Sequence, residues 1–282
     1  NAEEFGEWLG EVRGQTDVIL SEHRPIPLYQ HVLINSSLID LFSQPGKINP
    51  EILALEREAM RKVRIPRHRR EQWGAQESRL SRAEIIEKLN RENLLPAITF
   101  IFSRMGCDAA VKQCLTAGLK LTNTEERAEI LATAAKYTAN LPEEDLEVLG
   151  YREWITALER GIAAHHAGLL PSFKNAVEDL FQRGLVKAVF ATETLALGIN
   201  MPARTVVLEK LTKWNGEAHV PITPGEYTQL TGRAGRRGLD IEGHGVVLYQ
   251  PGMNPGEVAG LASTRTYPLR SSFRPSYNMA VN

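Results

Sequence analysis

The stretch Thr223–Gly238, TPGEYTQLTGRAGRRG, holds the residue types best suited to grip an anion. Thr223 and Glu226 have the spacing of a capping box and Pro224 suits a first helical position, so a helix is expected to begin here. Counted along that helix, Gln229, Arg233 and Arg236 fall at i, i+4 and i+7, which puts an amide and two guanidiniums on one face. Two guanidiniums on one stripe repel, and a phosphate with paired oxygens relieves that repulsion while matching their planar donors. Gly232 and Gly235 beside them lack a Cβ and would let a ligand approach the backbone. The plainer alternative is a solvated basic helix end that the glycines stop.

Further upstream, Thr192-Glu193-Thr194 follows the apolar run VKAVFA (Val186–Ala191). A hydroxyl and free amides at such a strand outlet make a neutral phosphate contact blind to base identity, or simply cap a helix. His165 and His166 invite a metal reading. Adjacent side chains on a strand point to opposite faces, however, and no third ligand stands at ligand spacing, so no metal is expected. Cys107 and Cys114 lie two turns apart on one helix face, too far for a disulfide and too few for zinc, and are read as buried thiols. The run ALEREAMRKVRIPRHRREQW (Ala54–Trp73) carries eight basic side chains counting His68. It could bind a phosphate backbone beside Trp73, but interleaved Glu56, Glu58 and Glu71 favour a solvated helical segment.

At 282 residues with 43% hydrophobic content, the chain can bury a substantial core. Lys plus Arg at 33 against Asp plus Glu at 34 gives no global basic field, so nucleic-acid binding would rest on local patches. No apolar run is long enough for a bilayer, and NAEEFGEWLGE is acidic where a secretory signal is basic, so a cytoplasmic setting without membrane or obligate oligomer is expected. Neither a G-x-x-x-x-G-K-[ST] phosphate loop nor a G-x-G-x-x-G turn opening a first βαβ unit is present. Arginines suited to a terminal phosphate, with nothing to cradle the other phosphates or hold Mg²⁺, amount to half of a catalytic site.

The elements that must position these residues read as an α/β chain. AITFIF (Ala97–Phe102), VKAVFA and TVVLE (Thr205–Glu209) are unbroken apolar runs of the kind buried on both faces of a parallel sheet. Leu28, His31 and Leu33, then Gly161–His165 and Gly243–Tyr249, suggest further strands, and Thr16–Leu20 a short one. Helices are expected at Gly106–Leu115, Thr124–Thr138, Tyr151–Arg160 and Pro171–Gln182. Pro142–Gly150 reads as an acidic turn and Lys210–Pro221 as a loop containing Trp214. Ligands of parallel sheets collect at the carboxyl ends of strands, which is where Ser103 and Arg104 stand.

Taken in order, AITFIF, HHAGL (His165–Leu169), ATETLALGINMPA (Ala191–Ala203) and Gln229–Arg236 resemble segments of the superkiller-type DExH-box helicases of superfamily two, including their fourth, fifth and sixth motifs. The resemblance covers nearly the whole chain apart from Ser43–Glu92. It implies a RecA-like parallel sheet with helices on both faces: residues 1–21 as the tail of a first RecA-like domain, 22–42 as the crossover and first strand of the second, 43–95 as a charged insertion or linker, helical or partly disordered, 96–252 as the second RecA-like domain, and 253–282 as the start of the next. It further implies ATP and Mg²⁺ held mainly by the first domain in cis, with Arg233 and Arg236 reaching the γ-phosphate and Gln229 sensing it. Gly198, Asn200 and Gly232 would lie beside the nucleotide. Ser103, Arg104, His166, Thr192 and Thr194 would touch single-stranded RNA or DNA. The alternative of another class is a passive nucleic-acid-binding or docking module whose arginines grip polymer phosphate.

Overall fold

Alternate residues of short apolar strands enter two different cores, and this alternation builds the domain. The computed structural model describes residues 2–19, 24–63, 80–196 and 199–263. The chain divides into a small unit that includes the helix Ala2–Arg13 and a large unit, Pro25–Ser263. In the small unit a Cβ on Gly6 would lie 2.5 Å from Val18 Cγ2, so the helix needs glycine where Val18 crosses it. Residues 16–19 form no strand, contrary to the expectation for Thr16–Leu20.

In the large unit the strands are β1 (Leu28–Ile34), β2 (Ser37–Asp40), β3 (Phe42–Gln44), β4 (Lys47–Ile48), β5 (Ala97–Phe100), β6 (Ile162–His165), β7 (Ala188–Ala191), β8 (Thr205–Leu208), β9 (Thr212–Trp214), β10 (His219–Pro221) and β11 (Gly243–Leu248). A seven-stranded sheet runs β2-β1-β11-β8-β5-β7-β6, parallel throughout except for β2, which pairs antiparallel with β1. Every residue of β5, β6, β7, β8 and β11 is buried, as expected for strands covered on both faces. Val206 and Leu208 face one core while Val207 faces the other, and Ile98 and Phe100 oppose Ala97 in the same way. Helices Thr124–Thr138, Pro171–Gln182 and Pro224–Thr231 cover the first core through Ile130, Phe181 and Tyr227. Helices Arg82–Arg91 and Arg104–Thr116 cover the second through Ile86 and Val111.

Local chemistry starts these helices where the sequence indicates. Reciprocal capping boxes join Ser81 to Glu84, Asn123 to Glu126 and Thr223 to Glu226. Several expectations need correction. Glu143–Val148 is a short helix rather than a turn, and Lys210–Pro221 contains the β9–β10 hairpin rather than a plain loop. The 43–95 stretch holds the end of the β3–β4 hairpin before its helices Pro50–Val63 and Arg82–Arg91. Ile52 and Ile86 from those helices lie in the two cores, so charge along this stretch hides a buried stripe. The later half of the basic run, with Trp73, lies outside the described residues, as does Ser272–Asn282. Helix Pro255–Ser263 buries Val258 and Ala259 in the first core.

Cys107 and Cys114 are buried on one helix face, and burial pushes each thiol up to about 12, so neither is a nucleophile. Among the described residues no helix is long and apolar enough to cross a membrane, and no three His, Cys, Asp or Glu side chains gather as for a metal ion.

Candidate nucleotide and nucleic-acid site

The arginines do not share a helical stripe. The helix ends at Thr231, with Gly232 as its C-cap, and Arg233 and Arg236 lie in the turn that follows. A β-bridge pulls the chain out of the helix: Ala203 N–H donates to Arg233 O at 2.9 Å, and Gly235 N–H donates to Ala203 O at 2.7 Å. Gly235 adopts φ +89°, where an L side chain is strained, and a Cβ there would meet Ile26 Cγ2 at 2.5 Å. Gly232 has its own local reason, since a Cβ would lie 2.7 Å from Thr228 O. Each glycine, expected to admit a ligand, thus has a local reason: Gly232 the backbone of its own helix, Gly235 a positive φ against the Ile26 side chain.

Within this turn the two guanidiniums meet different partners. Arg233 donates through Nη1 to Ile199 O and through Nη2 to Ala196 O, which fastens the turn to the segment linking β7 to β8. Burial lowers the Arg233 pKa. Arg236 donates through Nε and Nη2 to the two carboxylate oxygens of Asp240, each at 2.8 Å, and its backbone N–H donates to Asp240 Oδ2 at 2.9 Å. Burial raises the Asp240 pKa, but the hydrogen bonds and charge of Arg236 outweigh it and hold the carboxyl below its ordinary value. Gln229 is exposed on the last helical turn. Asn200 is exposed, and its backbone O accepts from Gln182 Nε2 at 3.1 Å. Gly198 lies outside the described residues.

A second group gathers at the carboxyl ends of β5, β6 and β7. Ser103 Oγ accepts the Gly106 N–H at 3.2 Å and so caps helix Arg104–Thr116, leaving Arg104 exposed in its first turn. His166 is only 5% exposed, with Nε2 2.9 Å from Asp108 Oδ1 and Nδ1 accepting from Gly168 N–H at 3.1 Å. That pairing places the ring proton on Nε2. A Cβ at Gly168 would sit 3.1 Å from His166 Nδ1 and 3.5 Å from Arg104 Cδ, so the bare glycine lets these two side chains converge. Thr192 is buried, its hydroxyl 2.9 Å from that of the exposed Thr194, and the 3-10 turn Glu193–Ala196 follows. Lys213 on β9 bridges Glu193 of that turn and Glu226 of helix Pro224–Thr231.

The adjacent histidines part as expected: His165 Nε2 lies 2.8 Å from Glu178 Oε1, away from the Asp108 partner of His166. Another pair escapes sequence reasoning because its members are far apart in the chain. His31 Nε2 lies 3.0 Å from His244 Nδ1, and His31 Nδ1 lies 2.9 Å from Asp40 Oδ1. Burial holds His31, His165 and His244 below the ordinary histidine value, against the pull of Asp40 at His31 and Glu178 at His165. The unfolded chain therefore takes up protons first as pH falls below about 6.5, and stability drops with it. Denaturation midpoints measured from pH 7.5 to pH 5 should fall progressively, whereas a flat profile would contradict neutral burial of these rings.

A mostly parallel sheet covered by helices on both faces is the architecture of a RecA-like domain. Residues 110–238 match the family model for the helicase conserved C-terminal domain. Over its full length the chain is 60% identical to Probable helicase HelY of Mycobacterium tuberculosis, 36% identical to Superkiller complex protein 2 of Homo sapiens and 32% identical to Exosome RNA helicase MTR4 of Homo sapiens. It spans 32%, 24% and 27% of those relatives' lengths. The chain belongs to the superkiller-type DExH-box helicases, as part of their helicase C-terminal region.

Proposed function

We propose that this chain is the C-terminal motor lobe of an ATP-dependent helicase that moves along single-stranded nucleic acid. ATP binds between this lobe and another RecA-like lobe of the full-length parent. Arg236 and Arg233 then face the γ-phosphate and stabilise the charge that builds on it in the transition state, with Gln229 beside them. Asn200 and Gly232 are assigned to the same side. The donor set here suits phosphate oxygens and offers no carboxylate cluster among the described residues, so Mg²⁺ is assigned to the parent's other lobe. Held there, the ion would supply positive charge that offsets the charge of the phosphates.

Arg104, His166, Ser103, Thr192 and Thr194 contact the backbone of the strand, which predicts weak sequence preference and salt-sensitive binding. The observation that carries this reading is the separation of the two groups. The arginine turn is stitched to Ala203, just before β8 begins, and Arg236 pairs with Asp240 within it, whereas Arg104 and His166 stand where β5 and β6 end; of the two arginines, Arg233 alone reaches the turn that follows Thr192. One continuous polymer grip would not divide its cations this way, which argues against the passive binding module. The relative named an exosome RNA helicase favours RNA over DNA. The experiment that tests the reading is strand-stimulated ATP hydrolysis by the full-length parent carrying Arg236→Ala, with strand binding measured alongside.

A further inference from the structure

We infer that Asp240 is the positioning residue for Arg236, fixing which edge of its guanidinium is presented outward. This rests on the proposed function, because the orientation matters only if Arg236 meets a phosphate. Arg236 lies outside any helix or strand and follows a glycine at φ +89°, so no regular backbone pattern aims its long side chain. Asp240 supplies the missing constraint. Its carboxylate accepts three N–H groups of that one residue, and its own backbone N–H donates to Arg236 O at 2.9 Å.

The carboxylate is also shielded from water: the Asp240 side chain is 2% exposed against 19% for Arg236. A charge-assisted fork of this kind is strong and directional. It occupies Nε and one hydrogen of Nη2, leaving Nη1, which has no hydrogen bond among the described residues, as the donor edge free for a ligand. The nearby carboxylate offsets part of the positive charge, so the benefit to catalysis is orientation rather than field strength.

The test uses the full-length parent, with kcat and KM for ATP measured at saturating single-stranded RNA. Asp240→Asn keeps the shape, but its amide opposes a guanidinium donor. It should lower kcat by about 10²-fold, the scale of a misplaced reacting group, with KM for ATP nearly unchanged. In an Arg236→Ala background the same substitution should cost nothing further, because the group it positions is gone. If Asp240→Asn does not fold, Asp240→Glu, which keeps the charge but displaces it by one methylene, is held to the same criteria.

Wild-type kcat in the folded variant, or an equal loss in both backgrounds, would overturn the inference and leave Asp240 as a structural cap of the turn. The proposed function survives that result as long as Arg236→Ala alone abolishes turnover. Full turnover by Arg236→Ala would instead sink the proposed function and the inference together.

Discussion

Arg236→Ala in the full-length parent is expected to lower strand-stimulated ATP turnover by about 10³–10⁵-fold, the range attributed to an arginine finger. Affinity for single-stranded RNA should change little, since Arg104, His166 and Thr192 stand at the other ends of the strands. The substitution also strands a buried carboxylate, and removing one partner of such a pair can cost about 3–5 kcal/mol of stability. Asp240 would still accept the backbone N–H of residue 236, which moderates that cost. Turnover per folded molecule and thermal midpoint must therefore be measured together. Arg236→Lys separates the two effects, because it keeps a cation against Asp240 while losing the planar fork. Strand binding lost with turnover preserved would assign this guanidinium to the polymer instead.

The second large effect concerns the seat of the arginine turn. A Cβ at Gly243 would lie 2.6 Å from Ala234 C, 2.6 Å from Gly235 N and 2.8 Å from Ala234 O. All three are backbone atoms held by the Ala203–Ala234 bridge, so no rotamer change relieves the overlap. Gly243→Ala should destabilise the folded chain by about 3 kcal/mol, the upper part of the range for overpacking. Gly245→Ala is the control. Its Cβ would meet Gln30 Oε1 at 2.6 Å, the end of a side chain that can swing aside, although it would give up its bond from Tyr227 OH. Urea midpoints for the two variants check this, and a wild-type midpoint for Gly243→Ala would mean that the turn does not rest on the start of β11.

The sheet was legible because its central strands are buried on both faces and so appear as unbroken apolar runs, as in AITFIF and VKAVFA. The start of helix Pro224–Thr231 was legible because Glu226, three residues on, completes the cap of Thr223. The end of helix Pro224–Thr231 was not, although those of Thr124–Thr138 and Pro171–Gln182 were. The spacing of Gln229, Arg233 and Arg236 is compatible with a helix, and the bridge that ends it comes from Ala203, distant in sequence. The β9–β10 hairpin was hidden for a related reason, since Trp214 and His219 are exposed and each strand exists only by pairing with the other. Interleaved charges hid the buried stripe of Ile85, Ile86 and Leu89. Asp240 stands four residues after Arg236, a spacing that points to an ion pair, but the fork itself depends on the turn that the bridge creates.

The central claim is that this lobe supplies only one wall of a nucleotide site. ATP hydrolysis by the purified 282-residue chain at saturating single-stranded RNA, repeated after the chain is joined to the rest of its parent, tests that claim most directly. The expected result is no turnover from the chain alone and strand-stimulated turnover once it is joined. Robust hydrolysis by the chain alone would contradict the account.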